Sequence, residues 1–385
     1  MSIKELLKQS IENLTNSFPY KNLILCESVP DYSDNTKKVF DELIRRGVNQ
    51  KYTFMWVCKN PESVAPLKAQ LSDIPNVKVI YRHTRPFKYY YRKVARYFLM
   101  CNLVLDSARP EQVYINLAHG AAFKNCAGKY FMGNTCQKAI VMSLGDYIAK
   151  YDAINISVSE EEMVPLGYPR NDDLLTTRCD THRLFDVAFD KIIYWLPTFR
   201  QHKFGIEYSS ISVPFIHDEQ EAKRLNAALQ EQKVLLVLKP HPQQDVSKIS
   251  NLYLSNIVLI DNDFLDSHGV SNYELLGACD ALLTDYSSVY YDYLLCDKPI
   301  GLGWEDFEEY NTNEGFTVDP DFIMKGGEKL YTTDDLICFT QRIASGEDIL
   351  QKERRELASL IHNHLDAEAT RRVTDYVESL LTQSA

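Results

Sequence analysis

Short runs that are apolar at nearly every position constrain the fold of this chain more than any other feature. In the second half of the sequence these runs are KIIYWLP (191–197), VLLVLKP (234–240), NIVLI (256–260) and DALLTD (280–285). They are apolar on both faces, as strands are when helices cover both sides of a parallel sheet. The sequence therefore predicts an α/β fold.

The first half of the sequence shows the same alternation of strands and helices. Strands are predicted at NLILCE (22–27), YTFMWVC (52–58), VKVI (77–80), LVLD (103–106) and VYINL (113–117). Between the first two lies SDNTKKVFDELIRRG, in which Ser33 or Asp34 can cap a helix and Gly47 can end it. This pattern is typical of a βαβ unit.

Two consecutive α/β halves fit the length of 385 residues and the hydrophobic content of 45%. We predict an N-terminal Rossmann-like domain over residues 1–180, a second over 181–347, and C-terminal helices over 348–385. Ligands of such sheets bind at the carboxyl ends of the strands. Functional residues are therefore expected just after residues 117, 197, 239 and 285.

The charge of the chain is divided unevenly between its halves. Residues 1–150 carry 22 Lys and Arg against 12 Asp and Glu, whereas residues 151–385 carry 20 against 41. A basic half of this kind indicates an anionic partner, although a drift of charge without function is the alternative. We expect no nucleic-acid partner.

Neither a disulfide framework nor a membrane span is predicted. The nine cysteines are odd in number and form no CxxC pair, and no carboxylate cluster has metal-ligand spacing, so no metal or cofactor is expected. No apolar run reaches about 18 residues, and the opening MSIKELLKQSIENL is charged, unlike a signal peptide. We therefore expect a cytoplasmic protein.

Two histidines stand directly after predicted strands. His119 lies in AHGAAFK, where Gly120 allows a ligand to come close and Lys124 follows. His241 lies in LKPHP, between two prolines that restrict the backbone and after Lys239. An imidazole at either position can serve in acid–base chemistry, and a structural histidine is the alternative.

Three other segments carry candidate anion-binding groups. TFRQHK places Arg200 and Lys203 after a strand, where they suit phosphate oxygens or are simply solvated. In TDYSSVYYDY a helix is predicted to begin at Thr284 or Asp285, so that Ser287 and Ser288 form an anion site or merely cap the helix. GYPRNDDLL (167–175) places Arg170 in a turn before a helix.

A basic and aromatic segment lies at residues 81–97, YRHTRPFKYYYRKVARY. No acidic residue interrupts its cations, and six tyrosines and phenylalanines lie among them. Such a segment suits an anionic membrane surface, which we predict to be contacted by Arg85, Lys88, Arg92 and Lys93. A solvated helix that packs its tyrosines on the first domain is the alternative.

In this order the motifs resemble the CDP-glycerol glycerophosphotransferase family, the teichoic-acid and capsule polymerases and primases of bacterial envelopes. The resemblance spans about residues 22–320. Its segments are ESVPDYSDNTKKVFDEL, AHGAAFK, GYPRNDDLL, YWLPTFR, LKPHP and TDYSSVYYDYLLCDKPI. The chain departs from the family at Ala118, where a Trp is usual, and at Ala121–Phe123, where Thr-Pro-Leu is usual.

The resemblance implies a GT-B-like architecture, with two Rossmann-like domains facing a cleft. It implies that His119 is the base and that His241 lies near the donor phosphates. It also implies that Arg200, Ser287 and Ser288 contact the donor pyrophosphate. From their positions beside these residues we add Lys239, Thr284 and Asp285 as candidates for donor binding. Gly120, Lys124 and Arg170 are the candidates on the acceptor side.

The implied reaction is transfer of a polyol phosphate from a CDP-linked donor to a hydroxyl of a lipid-linked or glycan acceptor, with release of CMP. Glycerol phosphate is the expected group, and ribitol phosphate is the alternative. The enzyme would lie peripherally at the cytoplasmic face of the membrane. Two other functions remain open: a GT-B glycosyltransferase that uses a nucleotide sugar, and a non-catalytic glycan- or nucleotide-binding module.

Overall fold

The structure is a computed structural model that describes residues 15–101, 109, 111–125, 139–199, 213–241 and 244–383. The chain forms two compact units. The first consists of residues 1–121, 126–170 and 368–385, and the second of residues 122–125 and 171–367. Each unit is built around one parallel β-sheet.

A seven-stranded sheet forms the core of the first unit, with the strand order β3-β2-β1-β4-β5-β6-β7. Its strands are Lys21–Glu27 (β1), Thr53–Cys58 (β2), Val77–Tyr81 (β3), Ala95–Met100 (β4), Val113–Asn116 (β5), Ala139–Met142 (β6) and Met163–Val164 (β7). Its helices are Asp34–Arg45 (α1), Val64–Gln70 (α2), Arg92–Val94 (α3), Asp146–Ile156 (α4) and Ala369–Gln383, the last helix of the chain.

The second unit contains a six-stranded sheet in the order β10-β9-β8-β11-β12-β13. Its strands are Lys191–Trp195 (β8), Val234–Leu238 (β9), Ile257–Leu259 (β10), Ala281–Thr284 (β11), Ile300–Gly303 (β12) and Glu328–Leu330 (β13). The helices are Asp172–Thr176 (α5), Thr181–Leu184 (α6), Glu219–Gln232 (α7), Ser247–Ser250 (α8), Asn262–His268 (α9), Asn272–Ala278 (α10), Val289–Tyr293 (α11), Phe307–Asn313 (α12), Pro320–Ile323 (α13), Thr333–Ser345 (α14) and Gln351–Ile361 (α15).

Both sheets have the doubly wound strand order of Rossmann-like folds, in which the direction of winding reverses beside the first strand. In the first unit the reversal lies between β1 and β4, and in the second it lies between β8 and β11. All five residues of β9 are fully buried, which agrees with the prediction of a strand covered on both faces. The predicted strand at 103–106 lies outside the described residues.

Several strands were not predicted, and β4 and β12 show why. The strand β4, ARYFLM, begins inside the segment interpreted as a membrane surface, and its Arg96 interrupts the apolar run. The strand β12, IGLG, contains two glycines, which disfavour strands. At Gly301 a Cβ atom would come within 3.0 Å of the side chains of Leu283 and Phe339, so close packing accounts for that glycine.

The two units differ from the predicted domain boundaries at residues 122–125, at residues 171–180 and in the C-terminal segment. Residues 171–180 group with the second unit because α5 packs on α10, where Gly277 lets the backbone of Leu174 come close. The C-terminal segment is divided between the units. The helix α15 belongs to the second unit, and the last helix (α16) packs on α1 in the first.

Candidate functional site

The turn after β5 carries His119 in the first unit. The carboxamide oxygen of Asn116 accepts a hydrogen bond from the backbone N–H of Ala118 at 2.9 Å, and Ala118 has a φ of +58°. Asn35, which is fully buried, donates from Nδ2 to the carbonyl oxygens of Leu117 and Ala118 at 3.0 and 2.9 Å. These bonds fix the backbone immediately before His119.

Asp34 joins His119 to Arg170 within the same unit. Its Oδ2 lies 2.8 Å from Nδ1 of His119, and one guanidinium nitrogen of Arg170 lies 2.9 and 3.0 Å from its two oxygens. The side chain of His119 is 62% exposed, whereas those of Asp34 and Arg170 are 9% and 7% exposed. The structure thus presents one accessible imidazole on a buried ion pair.

The charges around Asp34 favour its ionised form. Burial by itself would raise the pKa of this carboxyl, but the Arg170 guanidinium and the hydrogen bond with His119 lower it to about 2. The backbone N–H of Arg170 also donates to Oδ1 of Asn35 at 2.8 Å. The adjacent residues Asp34 and Asn35 therefore bind both the turn after β5 and the segment that contains Arg170.

Two of these three charged or titratable residues can be found from the sequence. The motifs predict His119 and Arg170 as site residues, whereas the sequence predicts only a capping role for Asp34. In the structure Asp34 is the first residue of α1, and Ser33 is the N-cap without a side-chain capping bond. Arg170, predicted to face the acceptor, is a buried partner of Asp34, and Gly120 follows His119 in the same turn. The available signal was the Asp-Asn pair at the start of the helix that follows β1.

In the second unit, His241 lies beyond the carboxyl end of β9. Its ring stacks on Phe199, which follows β8, with centroids 4.4 Å apart. The backbone N–H of Lys239 donates to the carbonyl oxygen of Trp195 at 3.0 Å, so the sheet extends to the residue before Pro240. The structure therefore brings the segments after β8 and β9 together, as the parallel order predicts.

The positive charges of two lysines act on His241. Partial burial lowers the pKa of His241, and the positive charges of Lys239 and Lys124 lower it further. Burial likewise lowers the pKa of Lys239. A neutral imidazole beside two ammonium groups is an arrangement that an anionic ligand would stabilise.

Lys124, which is predicted on the acceptor side, groups with the second unit. Residues 122–125 are part of the second unit, where Lys124 pairs with Phe316 in an antiparallel bridge. The backbone N–H of Asn125 donates to the carbonyl oxygen of Gly315 at 3.0 Å. The same lysine exerts an electrostatic effect on His241, which belongs to this unit.

The segment after β11 differs from its prediction. The helix α11 begins at Val289 and has only five residues, so Ser287 and Ser288 precede a single helical turn rather than lie within one. Thr284 and Asp285 are each 1% exposed. Thr284 donates to the carbonyl oxygen of Leu196, and Asp285 accepts from the backbone N–H of Thr198. These two residues join β11 to the segment after β8 and are not accessible donor contacts.

Arg200, Lys203 and Pro242 lie outside the described residues.

The predicted membrane surface is only partly exposed. Lys93 is 5% exposed and its Nζ donates to Oδ1 of Asn16 at 2.9 Å, so the prediction for Lys93 was wrong. It fails because the segment turns into the buried strand β4 at Ala95. Arg85 and Lys88 are exposed, and Arg92 is half-buried. In the part of the chain that the structure describes, every helix is too short or too polar to cross a bilayer.

Comparison with known proteins finds relatives named as teichoic acid enzymes. The chain is 25% identical over 235 residues to a teichoic acid ribitol-phosphate primase of Bacillus spizizenii, with 59% of this chain and 56% of that protein covered. It is 25% identical over 359 residues to a teichoic acid glycerol-phosphate transferase of Staphylococcus aureus, with 83% and 84% covered. The chain thus spans little more than half the length of the first of these relatives.

Solved structures confirm the predicted α/β, GT-B-like fold. A variant of the wall teichoic acid polymerase TagF soaked with CDPG matches 99% of this chain and 96% of its own, at 20% identity and a TM-score of 0.72. The sequence profile of CDP-Glycerol:Poly(glycerophosphate) glycerophosphotransferase matches residues 13–379. Because this match covers nearly the whole chain, the protein belongs to the CDP-glycerol:poly(glycerophosphate) glycerophosphotransferase family.

Proposed function

We propose that this protein transfers a polyol phosphate, glycerol phosphate before ribitol phosphate, from a CDP-linked donor to a hydroxyl of a teichoic acid or related envelope acceptor. The observation that carries the proposal is the exposed imidazole of His119, held by Nδ1 on a buried ion pair in a chain of this family. The relatives named as glycerol-phosphate and ribitol-phosphate enzymes support the reaction class.

The first unit would supply the base. Nδ1 of His119 is occupied by Asp34, so Nε2 is the nitrogen that can take the proton of the acceptor hydroxyl. The acceptor oxygen then forms a bond to the β-phosphorus of the donor. The bond from that phosphorus to the bridging oxygen breaks, and CMP leaves with the electron pair.

The second unit would bind the donor through His241, Lys239 and Lys124. Their charges suit a diphosphate, and the charge that develops on the leaving CMP is stabilised by the same cations. Stacking on Phe199 limits the motion of the His241 ring, so little side-chain entropy is lost when a phosphate binds. Ser287 and Ser288, which are half-buried, stay candidate donor contacts.

We propose that the enzyme binds its acceptor at a membrane surface. Arg85 and Lys88 are exposed, and Tyr89 is 42% exposed beside them, with Nζ of Lys88 5.5 Å from its ring centroid. Exposed cations next to an exposed tyrosine suit the headgroup region of an anionic leaflet. The acceptor would be lipid-linked, and the enzyme would bind peripherally.

Nucleotide release tests the function directly. The purified protein is incubated with a lipid-linked glycerophosphate acceptor and CDP-glycerol, CDP-ribitol or UDP-sugars, and the nucleotides are separated by chromatography. CMP from CDP-glycerol is expected, and CMP from CDP-ribitol alone would change the transferred group. Release of UDP from a UDP-sugar would identify a glycosyltransferase, and binding without any release would identify a binding module.

Substitution of the two histidines tests their roles. His119→Ala and His241→Ala should each lower CMP release by at least about 100-fold if they act in proton transfer and charge stabilisation. The matched control is His217→Ala, which removes another accessible histidine of the second unit, bonded to Glu221 and Glu305. Wild-type turnover in either of the first two variants would remove that residue from the mechanism.

A further inference from the structure

The hydrogen bond between His119 and Asp34 determines which imidazole nitrogen carries the proton. An ionised carboxylate can only accept a hydrogen bond, and Oδ2 of Asp34 lies 2.8 Å from Nδ1. In the neutral imidazole Nδ1 must then carry the hydrogen, which leaves the lone pair on Nε2. The geometry thus selects one of two tautomers.

Asp34 is itself held firmly enough to impose this choice. Arg170 bonds both carboxylate oxygens, and the backbone N–H of Asn35 donates to Oδ1 at 2.8 Å. The residue has a φ of +59°, a left-handed conformation that Asp tolerates better than most side chains. Its partner Arg170 is fixed in turn through its backbone N–H by the carboxamide of Asn35.

We propose that Asp34 is a positioning residue for the transfer reaction: it holds His119 in the Nδ1–H tautomer so that Nε2 can accept the acceptor proton, and Arg170 keeps Asp34 in place. This inference rests on the proposed function of His119. When Nε2 takes the proton, the imidazolium that forms lies against the Asp34 carboxylate, which stabilises its charge without taking the proton itself.

The tautomer is measured first, in the unmodified protein and without any turnover. The histidines are labelled with ¹⁵N, and the His119 signals are assigned by their loss in His119→Gln. Long-range ¹H–¹⁵N correlation spectra above neutral pH should show a protonated Nδ1 and an unprotonated Nε2. A neutral His119 that carries its proton on Nε2 would overturn the proposal, whatever the activity of the protein.

Turnover is then compared among variants of the carboxylate. Asp34→Asn should lower kcat for CMP release by at least about 10-fold with little change in the KM for the CDP donor, because the donor site that we propose lies in the second unit. Asp34→Glu, which keeps a carboxylate, should restore part of the loss. Circular dichroism melts identify any variant that does not fold, in which case the tautomer of the unmodified protein decides.

A second carboxylate–histidine pair supplies the matched control. Nδ1 of His217 lies 2.8 Å from Glu221 in the second unit, so Glu221→Gln removes the same kind of bond elsewhere in the chain. This variant should keep the wild-type kcat. Equal kcat values for folded Asp34→Asn and Glu221→Gln would refute the positioning role. An inactive wild-type protein with the expected tautomer would instead count against the proposed function alone.

Discussion

Arg170 and Asp34 form a buried ion pair across 136 positions of the sequence, with one guanidinium nitrogen at 2.9 and 3.0 Å from the two carboxylate oxygens. Neither side chain is more than 9% exposed. A buried charge without a partner is strongly destabilising, so each residue requires the other. The pair ties the start of α1 to the segment after β7.

The Asp34 carboxyl should make stability depend on pH in the acid range. Its pKa is lowered from 3.8 to about 2, so its contribution is complete above the unfolded value and is lost as the pH falls through about 2. At pH 7 the shift corresponds to roughly 2 kcal/mol, and Asp34→Asn should cost at least about this much. Urea unfolding at pH 7 and pH 3 measures the difference between the free energies of unfolding of the wild type and Asp34→Asn, and this difference should be smaller at pH 3. The same difference at both pH values would contradict the prediction.

The buried carboxyl of Glu27, at the end of β1, should have the opposite effect. Burial raises its pKa from 4.5 to about 7, although the charge of Arg82 acts against this. A raised folded pKa means that stability is lost as the pH rises from about 4.5 to 7. Glu27→Gln should therefore raise the free energy of unfolding at pH 8 by about 1–3 kcal/mol. At pH 4 the variant and the wild type should unfold at the same urea concentration, and a gain that persists there would show another cause.

Removal of the Lys124 charge should raise the pKa of His241. Burial, Lys239 and Lys124 all lower this pKa, and Lys124→Met removes one of the three causes. A ¹H NMR titration of the His241 ring measures the change. Lys223→Met serves as the control because that side chain is 64% exposed and pairs with Glu219. If the pKa of His241 is unchanged in Lys124→Met, residues 122–125 do not contribute to the proposed donor site.

A Cβ atom at Gly277 should disrupt the packing of α5 on α10. It would lie 2.4 Å from the carbonyl oxygen and 2.8 Å from the Cα of Leu174, and backbone atoms cannot rotate away. Gly277→Ala should lower the free energy of unfolding by about 1–3 kcal/mol. At Gly303 the same atom would make only ordinary contacts of 3.5 Å, so Gly303→Ala is the control. Thermal melts compare the two, and equal melting temperatures would disprove the close approach.

Membrane binding should depend on Arg85 and Lys88 and not on Lys93, which is buried. The double variant Arg85→Gln, Lys88→Gln should sediment less with anionic liposomes, by several fold at low salt. Lys223→Gln with Lys352→Gln removes two exposed cations from the second unit as a control. If neither the substitutions at Arg85 and Lys88 nor added salt reduces sedimentation, this surface does not bind the membrane.

The strands β8, β9 and β11 of the second sheet could be predicted because nearly all of their residues are buried, which leaves a continuous apolar run in the sequence. VLLVL is such a run, and the two prolines after it indicated that His241 projects from an extended segment. The strand β4 escaped prediction because its Arg96 is half-buried inside an otherwise buried strand. Local sequence could not distinguish that arginine from the exposed cations before it.

The partners of His119 could not be predicted in the same way. Asp34 precedes it by 85 positions and Arg170 follows it by 51. Only the strand order, which places β1 two strands from β5, brings these segments to one edge of the sheet. Lys124 shows the same limit, because residues 123–125 in the first half of the chain pair with residues 315–317.

The last helix, Ala369–Gln383, completes the core of the first unit with Val373, Val377 and Leu381, all at most 2% exposed. Arg46 at the end of α1 pairs with Asp375 and Glu378 of this helix. A ribosome makes the first sheet early and this helix late, with the second unit between them. Nearly all of the second unit is therefore made before the first unit can complete its core, and part of the apolar surface of the first unit stays uncovered until the last helix is made.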